Sequence, residues 1–338
     1  MQMSDSRFDA VFEGGGVKGI GLVGALSVLE ERGYQPTNVA GTSAGAIVAS
    51  MVAAGYSAVE VKQILTDLEF TNLIDAPPPG KIPLIGPAID ELTQLGLYKG
   101  AFFEAFLREH LEARGVRTFR DLVIPEFADD ERYRFRLNVV AADISRGQLL
   151  VLPQGIAAYG MAPDDLDVAH AVRMSMSIPL FFMPVQLKNA DGSVSYIVDG
   201  GLLSDFPVQL FDSDGPPAWP TFGFKLVQSG PPQLVKNHIG GPISEILAMF
   251  FTAMSAHDAY YLAADKYVRT IGIDTLGVEA TDFQVSPERK EALYQSGVKA
   301  ATDFLQQWDQ AGGFEAYKKL YRSGAPIPSH HEMVMPAS

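Results

Sequence analysis

Cysteine is absent from the 338 residues, which excludes disulfides, thiolate metal ligands and a thiol nucleophile, and fits a reducing compartment. Basic residues are few: 26 Lys and Arg stand against 40 Asp and Glu, a net charge of −14. Such a chain is repelled by nucleic-acid phosphates, so a polynucleotide partner is excluded. It is also repelled by an anionic bilayer unless a local basic or apolar patch compensates. No run reaches the 18 or so apolar residues that a membrane span needs; the most apolar long segment is ISEILAMFFTAM, 243–254, too short to span. The first ten residues, MQMSDSRFDA, lack the basic start and apolar run of a signal peptide, which sets a cytoplasmic expectation. Charged residues make up only 20% of the chain and apolar ones 47%, so the chain has ample material for a large core in one or two domains.

Strand and helix patterns alternate. DAVFEG reads as a short buried strand that runs into glycines, and residues 18–32 read as a helix with Gly33 past its end. TNVAG is a second strand, followed by a helix of small and aliphatic residues over 44–55. The stretch 134–152 holds two strands, SYIVD another that ends at Asp199, and TFGFKLVQ and KYVRTIGID two more. Helices are predicted at about 287–311 and 313–322, before a loose tail. This order predicts an α/β fold with a mostly parallel central sheet. Residues 71–89, rich in Pro and Gly, read as a surface excursion.

Two glycine motifs compete for the meaning of the first loop. Gly14-x-Gly16-x-x-Gly19 matches the dinucleotide-binding fingerprint, but that reading needs an acid at the end of the second strand. The second strand ends instead in Gly41-Thr42-Ser43, while Glu30 and Glu31 fall in the predicted helix. Gly41-x-Ser43-x-Gly45 between a strand and a helix is the setting of a nucleophile elbow, with Thr42 and Ala44 flanking the serine. The N–H groups of the first loop then form an anion site at a helix start, suited to an oxyanion, and Lys18 adds positive charge nearby.

A serine nucleophile needs a base. The histidines are His110, His170, His238, His257, His330 and His331, and none has a recognisable catalytic setting. Asp199 has the best placed carboxylate: it ends an apolar strand, and Gly200 and Gly201 let the backbone turn sharply. Asp205, in SDFP, competes with it and is expected to cap a helix. The order Ser43, Asp199, then His238 or His257 also fits a Ser-Asp-His esterase.

EGGGVKG at 13–19, GTSAG at 41–45 and DGG at 199–201, in this order, resemble the patatin-like phospholipases, lipid acyl hydrolases. LGLYKG, 95–100, AVRMSMSIPLFFMPV, 171–185, and TDFQVSPERKEALYQSG, 281–297, resemble segments of bacterial members. The resemblance implies one domain over 8–310 with a three-layer α/β/α fold, followed by a C-terminal helix and tail over 311–338. It implies a Ser43–Asp199 dyad without histidine, an oxyanion loop of Gly14, Gly15 and Gly16 with Lys18, and neither cofactor nor metal. The substrate would be a phospholipid, a lysophospholipid or another acyl ester, met with at most a transient contact at a membrane surface; a non-catalytic lipid-binding protein on the same fold is the alternative. Some bacterial members are secreted effectors without such an N-terminal signal. Residues 71–89 and the helix near 243–254 are candidates for an acyl tunnel or lid, the latter reading more simply as core.

Overall fold

The computed structural model describes residues 6–68, 100–213, 215–228, 269–279 and 285–321, with Gly241, Glu245, Asp282 and residues 248–250 and 252–253. Residues 71–89, half of 243–254, LGLYK at 95–99, His238, His257, His330 and His331 lie outside them.

Eight strands form one mixed, mostly parallel sheet: β1 (Arg7–Phe12), β2 (Gln35–Thr42), β3 (Leu137–Asp143), β4 (Gln148–Leu152), β5 (Val185–Lys188), β6 (Val194–Asp199), β7 (Thr221–Val227) and β8 (Thr270–Asp274). Their order is β5-β6-β3-β2-β1-β7-β8, with β4 on β3. The interior strands β1 and β3 are buried almost throughout, so apolar residues do not alternate with exposed polar ones, and the polar Asp9, Asn138 and Asp143 are buried with them. Alternate residues still serve opposite faces. Phe8, Ala10 and Phe12 join the main core, whereas Val11 joins a smaller one with Ala40, Val151 and Phe206.

Among the described residues the α-helices are α1 (Gly19–Glu31), α2 (Ala44–Ala53), α3 (Ala58–Asp67), α4 (Ala101–Glu112), α5 (Val168–Ser175), α6 (Pro287–Gln310) and α7 (Gly313–Tyr321). Among the described residues none is long and apolar enough to cross a membrane. Helix α1 is buried from Gly19 to Leu29, so it has no polar face to mark it as amphipathic. Its glycines take α6 at close range: a Cβ on Gly24 would lie 2.0 Å from the Tyr294 carbonyl oxygen, and one on Gly297 2.0 Å from that of Gly21. Gly24→Ala therefore forces the two helices apart. We expect it to cost about 2–3 kcal/mol, read as a lowered midpoint in urea at unchanged m.

Helix α3 starts at a capping box, Ser57 Oγ accepting from the Glu60 N–H and Glu60 accepting from the Ser57 N–H. Helix α5 starts at Asp167, whose Oδ1 accepts from the His170 N–H at 2.9 Å. At the far end of the chain Arg269 and Asp212 form a buried, two-pronged ion pair, and Arg269 also donates to Tyr317 Oη at 3.2 Å, which ties α7 to the sheet. The expected helix cap at Asp205 does not form. No helix follows it; the chain instead turns through 206–211, laying Phe206, Val208 and Leu210 on the second face of the sheet.

Candidate functional site

One strand aligns the site. Residues 139–143 of β3 pair on one edge with β4. The other edge is shared: β2 runs up it to Thr42 opposite Val140, and β6 runs down it to Asp199 opposite Ala141. The two strand ends thus meet head to head, one residue step of about 3.3 Å apart along β3. A Cβ on Gly200 would lie 2.3 Å from the Val140 carbonyl oxygen, so only glycine lets β6 end so close to β3.

Just past Thr42 the chain turns sharply. Ser43 has φ 52° and ψ −122°, a conformation costly for a residue with a side chain and diagnostic of a strained strand-to-helix elbow. The flanking glycines are required by contact. A Cβ on Gly41 would lie 2.3 Å from Gly45 main-chain atoms, and one on Gly45 2.2 Å from the Phe12 carbonyl oxygen. The Ser43 side chain then stands at the N-terminus of α2, where the helix dipole favours negative charge.

Asp199 is 1% exposed. Burial pushes its carboxyl up to about 7, against the hydrogen bonding of the Ser43 side chain and the Gly201 N–H, which pull it down. The Gly201 N–H donates to Asp199 Oδ1 at 2.8 Å, and the Asp199 N–H donates to the Ser177 carbonyl at 2.9 Å. The carboxylate is therefore fixed in position and poised between charge states at neutral pH.

The glycine loop lies against the same serine: a Cβ on Gly14 would be 3.3 Å from Ser43 Cβ. The Gly14 N–H is already engaged, donating to the Asp205 carbonyl at 3.2 Å. The N–H groups of Gly15 and Gly16 make no hydrogen bond among the described residues. Gly16 has φ 57°, a left-handed turn that starts the 3-10 segment Gly16–Lys18. Lys18 is half-buried at the end of that segment, its Cε beside Gly15.

Several supporting residues escaped the sequence reading. Ser175 accepts from the Ser43 N–H at 2.8 Å and donates to the Val140 carbonyl at 2.5 Å, bolting the elbow to β3. Arg173, 4% exposed, donates to Ser177 Oγ at 2.5 Å and to the Met183 carbonyl at 2.9 Å, and so organises the loop that receives the Asp199 N–H. Arg173 and Ser177 are four apart, a helical spacing that a closer reading of AVRMSMSIP could have used. Glu13 binds Lys225 in a buried ion pair and accepts from the Leu226 N–H, clamping the start of the glycine loop to β7. Ser175→Ala removes the bolt at the elbow. We expect about a tenfold loss of kcat with KM little changed, recovered in part by Ser175→Thr.

Asp205 is buried beside the same loop, its Oδ1 only 2.0 Å from where a Gly14 Cβ would be, so both candidate carboxylates lie near Ser43. Hydrogen bonding to the Ser43 side chain acts on Asp199. The two described histidines are not with them. His110 Nδ1 contacts the Phe106 carbonyl within α4, and His170 Nδ1 contacts Glu104 at 3.3 Å between α4 and α5. The dinucleotide reading lacks its acid: β2 ends at Thr42 and leads into Ser43.

A family model described as patatin-like phospholipase matches residues 10–212. The protein YqhO of Bacillus subtilis (strain 168) is 38% identical over 301 residues, which span 89% of this chain and 98% of YqhO. The probable lipid hydrolase 463L of Invertebrate iridescent virus 6 is 25% identical over 202 residues, 59% of this chain and 61% of that protein. Among solved structures, VipD from Legionella pneumophila shares the fold with a TM-score of 0.54 at 19% identity, over 90% of this chain and 67% of VipD.

Proposed function

The chain belongs to the patatin-like phospholipase family, and from that premise we propose that it is a lipid acyl hydrolase working through Ser43 and Asp199. The observation that carries this reading is the head-to-head meeting of β2 and β6 on β3, which brings a strained serine to a buried carboxylate. The name of the viral relative, a lipid hydrolase, supports the substrate class.

In this reading Ser43 Oγ attacks an ester carbonyl and Asp199 takes its proton. Negative charge collects on the carbonyl oxygen, where the Gly15 and Gly16 N–H groups and the start of the helical segment stabilise it. Asp199 passes the proton to the departing alcohol, which leaves an acyl-enzyme. Water, deprotonated by the same carboxylate, then releases the acid and restores Ser43. Lys18 adds favourable charge beside the loop. Phospholipids, lysophospholipids and simpler acyl esters all present the required carbonyl, and a net charge of −14 favours a soluble or zwitterionic lipid over an anionic bilayer.

The test is hydrolysis of p-nitrophenyl esters, a phospholipid and a lysophospholipid by wild type, Ser43→Ala, His238→Ala and His257→Ala, with chelator present. The reading expects turnover in wild type and in both histidine variants, and none in Ser43→Ala. Loss of turnover in either histidine variant would replace the dyad with a triad.

A further inference from the structure

A narrow apolar slot opens beside the glycine loop. Its lining includes Gly16, Val17, Ile20, Ala44, Ile47 and Leu65, with Lys290 also at its wall. Two of these positions flank the proposed chemistry directly: Ala44 follows Ser43, and Gly16 is one of the two glycines with an uncommitted N–H. The lining aliphatic side chains are buried, and the cavity is about 10 Å3, room for little more than one water.

We propose that this slot receives the acyl group and restricts the enzyme to short acyl chains, an inference that rests on the acyl hydrolase reading above. A tetrahedral centre on Ser43 Oγ has three other substituents. One is the oxyanion, directed at the Gly15 and Gly16 N–H groups. A second is the leaving oxygen, which must face Asp199 to receive its proton. The third, the acyl carbon, is left to point away from Asp199, toward Gly16 and Ala44, where the slot begins. Small residues keep that mouth open. A Cβ on Gly19 would already touch Ala44 Cβ at 3.5 Å. Ile47 and Leu65 also line the slot, and Lys290 Nζ, held on the Thr66 carbonyl at 3.2 Å, stands near Leu65 at the end of α3. A methylene that finds apolar cover is worth about fourfold in rate, and a slot with room for about one carbon withholds that gain from the rest of a long chain.

Alkyl fluorophosphonates test this without knowledge of the natural lipid. Ser43 Oγ bonds to phosphorus as fluoride leaves, and the alkyl group on phosphorus takes the place of the acyl chain. Labelling of Ser43 is timed by intact mass, with an ethyl and a dodecyl phosphonate. Wild type is expected to react at least about tenfold faster with the ethyl probe, since a dodecyl chain directed into the slot collides with its walls at Ile47 and Leu65. Leu65→Ala and Lys290→Ala should each raise the dodecyl-to-ethyl rate ratio about tenfold. Lys290 is half-exposed, so its truncation is tolerated even where the cavity left by Leu65→Ala prevents folding. A wild type that takes the dodecyl probe as readily as the ethyl one, or a ratio that neither folded variant moves, overturns the slot while labelled Ser43 upholds the hydrolase. Failure of both probes to label Ser43 overturns the hydrolase reading and the slot together.

Discussion

Ser43→Ala is expected to lower kcat by about three orders of magnitude or more, with KM and the unfolding midpoint little changed. Alanine keeps the backbone strain at φ 52° and the Ser175 hydrogen bond to the main-chain N–H, so the loss reports the hydroxyl alone. Asp199→Asn should match it, because the two act as one unit and removing either leaves only binding and the oxyanion donors. The asparagine can still accept from the Gly201 N–H, which separates loss of the base from loss of the turn. Asp205→Asn is the control. It alters a neighbouring carboxylate whose main-chain carbonyl, and not its side chain, holds the Gly14 N–H. We expect it to keep at least a tenth of the activity; the reverse ranking of the two variants would move the base to Asp205. The pH profile gives a second handle. In the proposed mechanism Asp199 acts as a base only when ionised, and its carboxyl is pushed up to about 7 by burial. The profile of kcat/KM should therefore rise about tenfold from pH 6 to a plateau above pH 8, and a limb near pH 4 instead would contradict the placement of the base.

The second large effect concerns stability. Asp9 is 2% exposed near the start of β1, and burial pushes its carboxyl up to about 8 against hydrogen bonds from Trp219 and the Asn38 N–H. In the unfolded chain the same group titrates near 3.9. Between these values the folded state holds a proton that the unfolded state has lost. Unfolding then releases a proton, and stability falls as pH rises through the window from about 4 to 8. Asp199 acts with the same sign up to about 7. The Asp9 contribution alone is on the order of 5 kcal/mol across the window. Asp9→Asn, which keeps the acceptor for the Asn38 N–H without a titrating group, should flatten the curve. Urea melts at pH 5, 7 and 9 measure it: wild type should lose several kcal/mol over the series, and the variant far less. Equal slopes would mean that Asp9 is ionised in the fold.

What could be read from the residues alone follows from which signals are local. The strand, loop and helix of 7–31 and the elbow at 41–45 are carried by contiguous apolar runs and by glycines whose contacts forbid a Cβ, so their pattern survives in sequence. Asp199 was legible because a strand end followed by Gly-Gly is a local feature too. The short helix α3 went unread, because only Ala58, Val61 and Leu65 of its ten residues are buried and polar residues dominate the rest. Its capping box was there to be found. Ser175 and Ser177 are small residues without a motif, and their worth comes from the strand they touch, which lies far off in sequence. The same holds for the Gly14 N–H: nothing in EGGGVKG tells which amide is already spent, since its acceptor belongs to Asp205. Nor does Asp205 itself betray, in SDFP, that the chain turns there instead of starting a helix.

The shared edge of β3 also divides the site in time. The glycine loop and Ser43 lie within the first 45 residues, on neighbouring elements from β1 to α2. The carboxylate is drawn from a strand that ends only at Asp199 and is held to β3 by three residue pairs. A growing chain, or a fragment that ends before β6, carries the serine and the glycine loop but lacks the carboxylate, the Asp205 carbonyl that takes the Gly14 N–H and the β7 clamp on Glu13, and is expected to be chemically silent. In the proposed mechanism the late hairpin supplies the base that the serine needs.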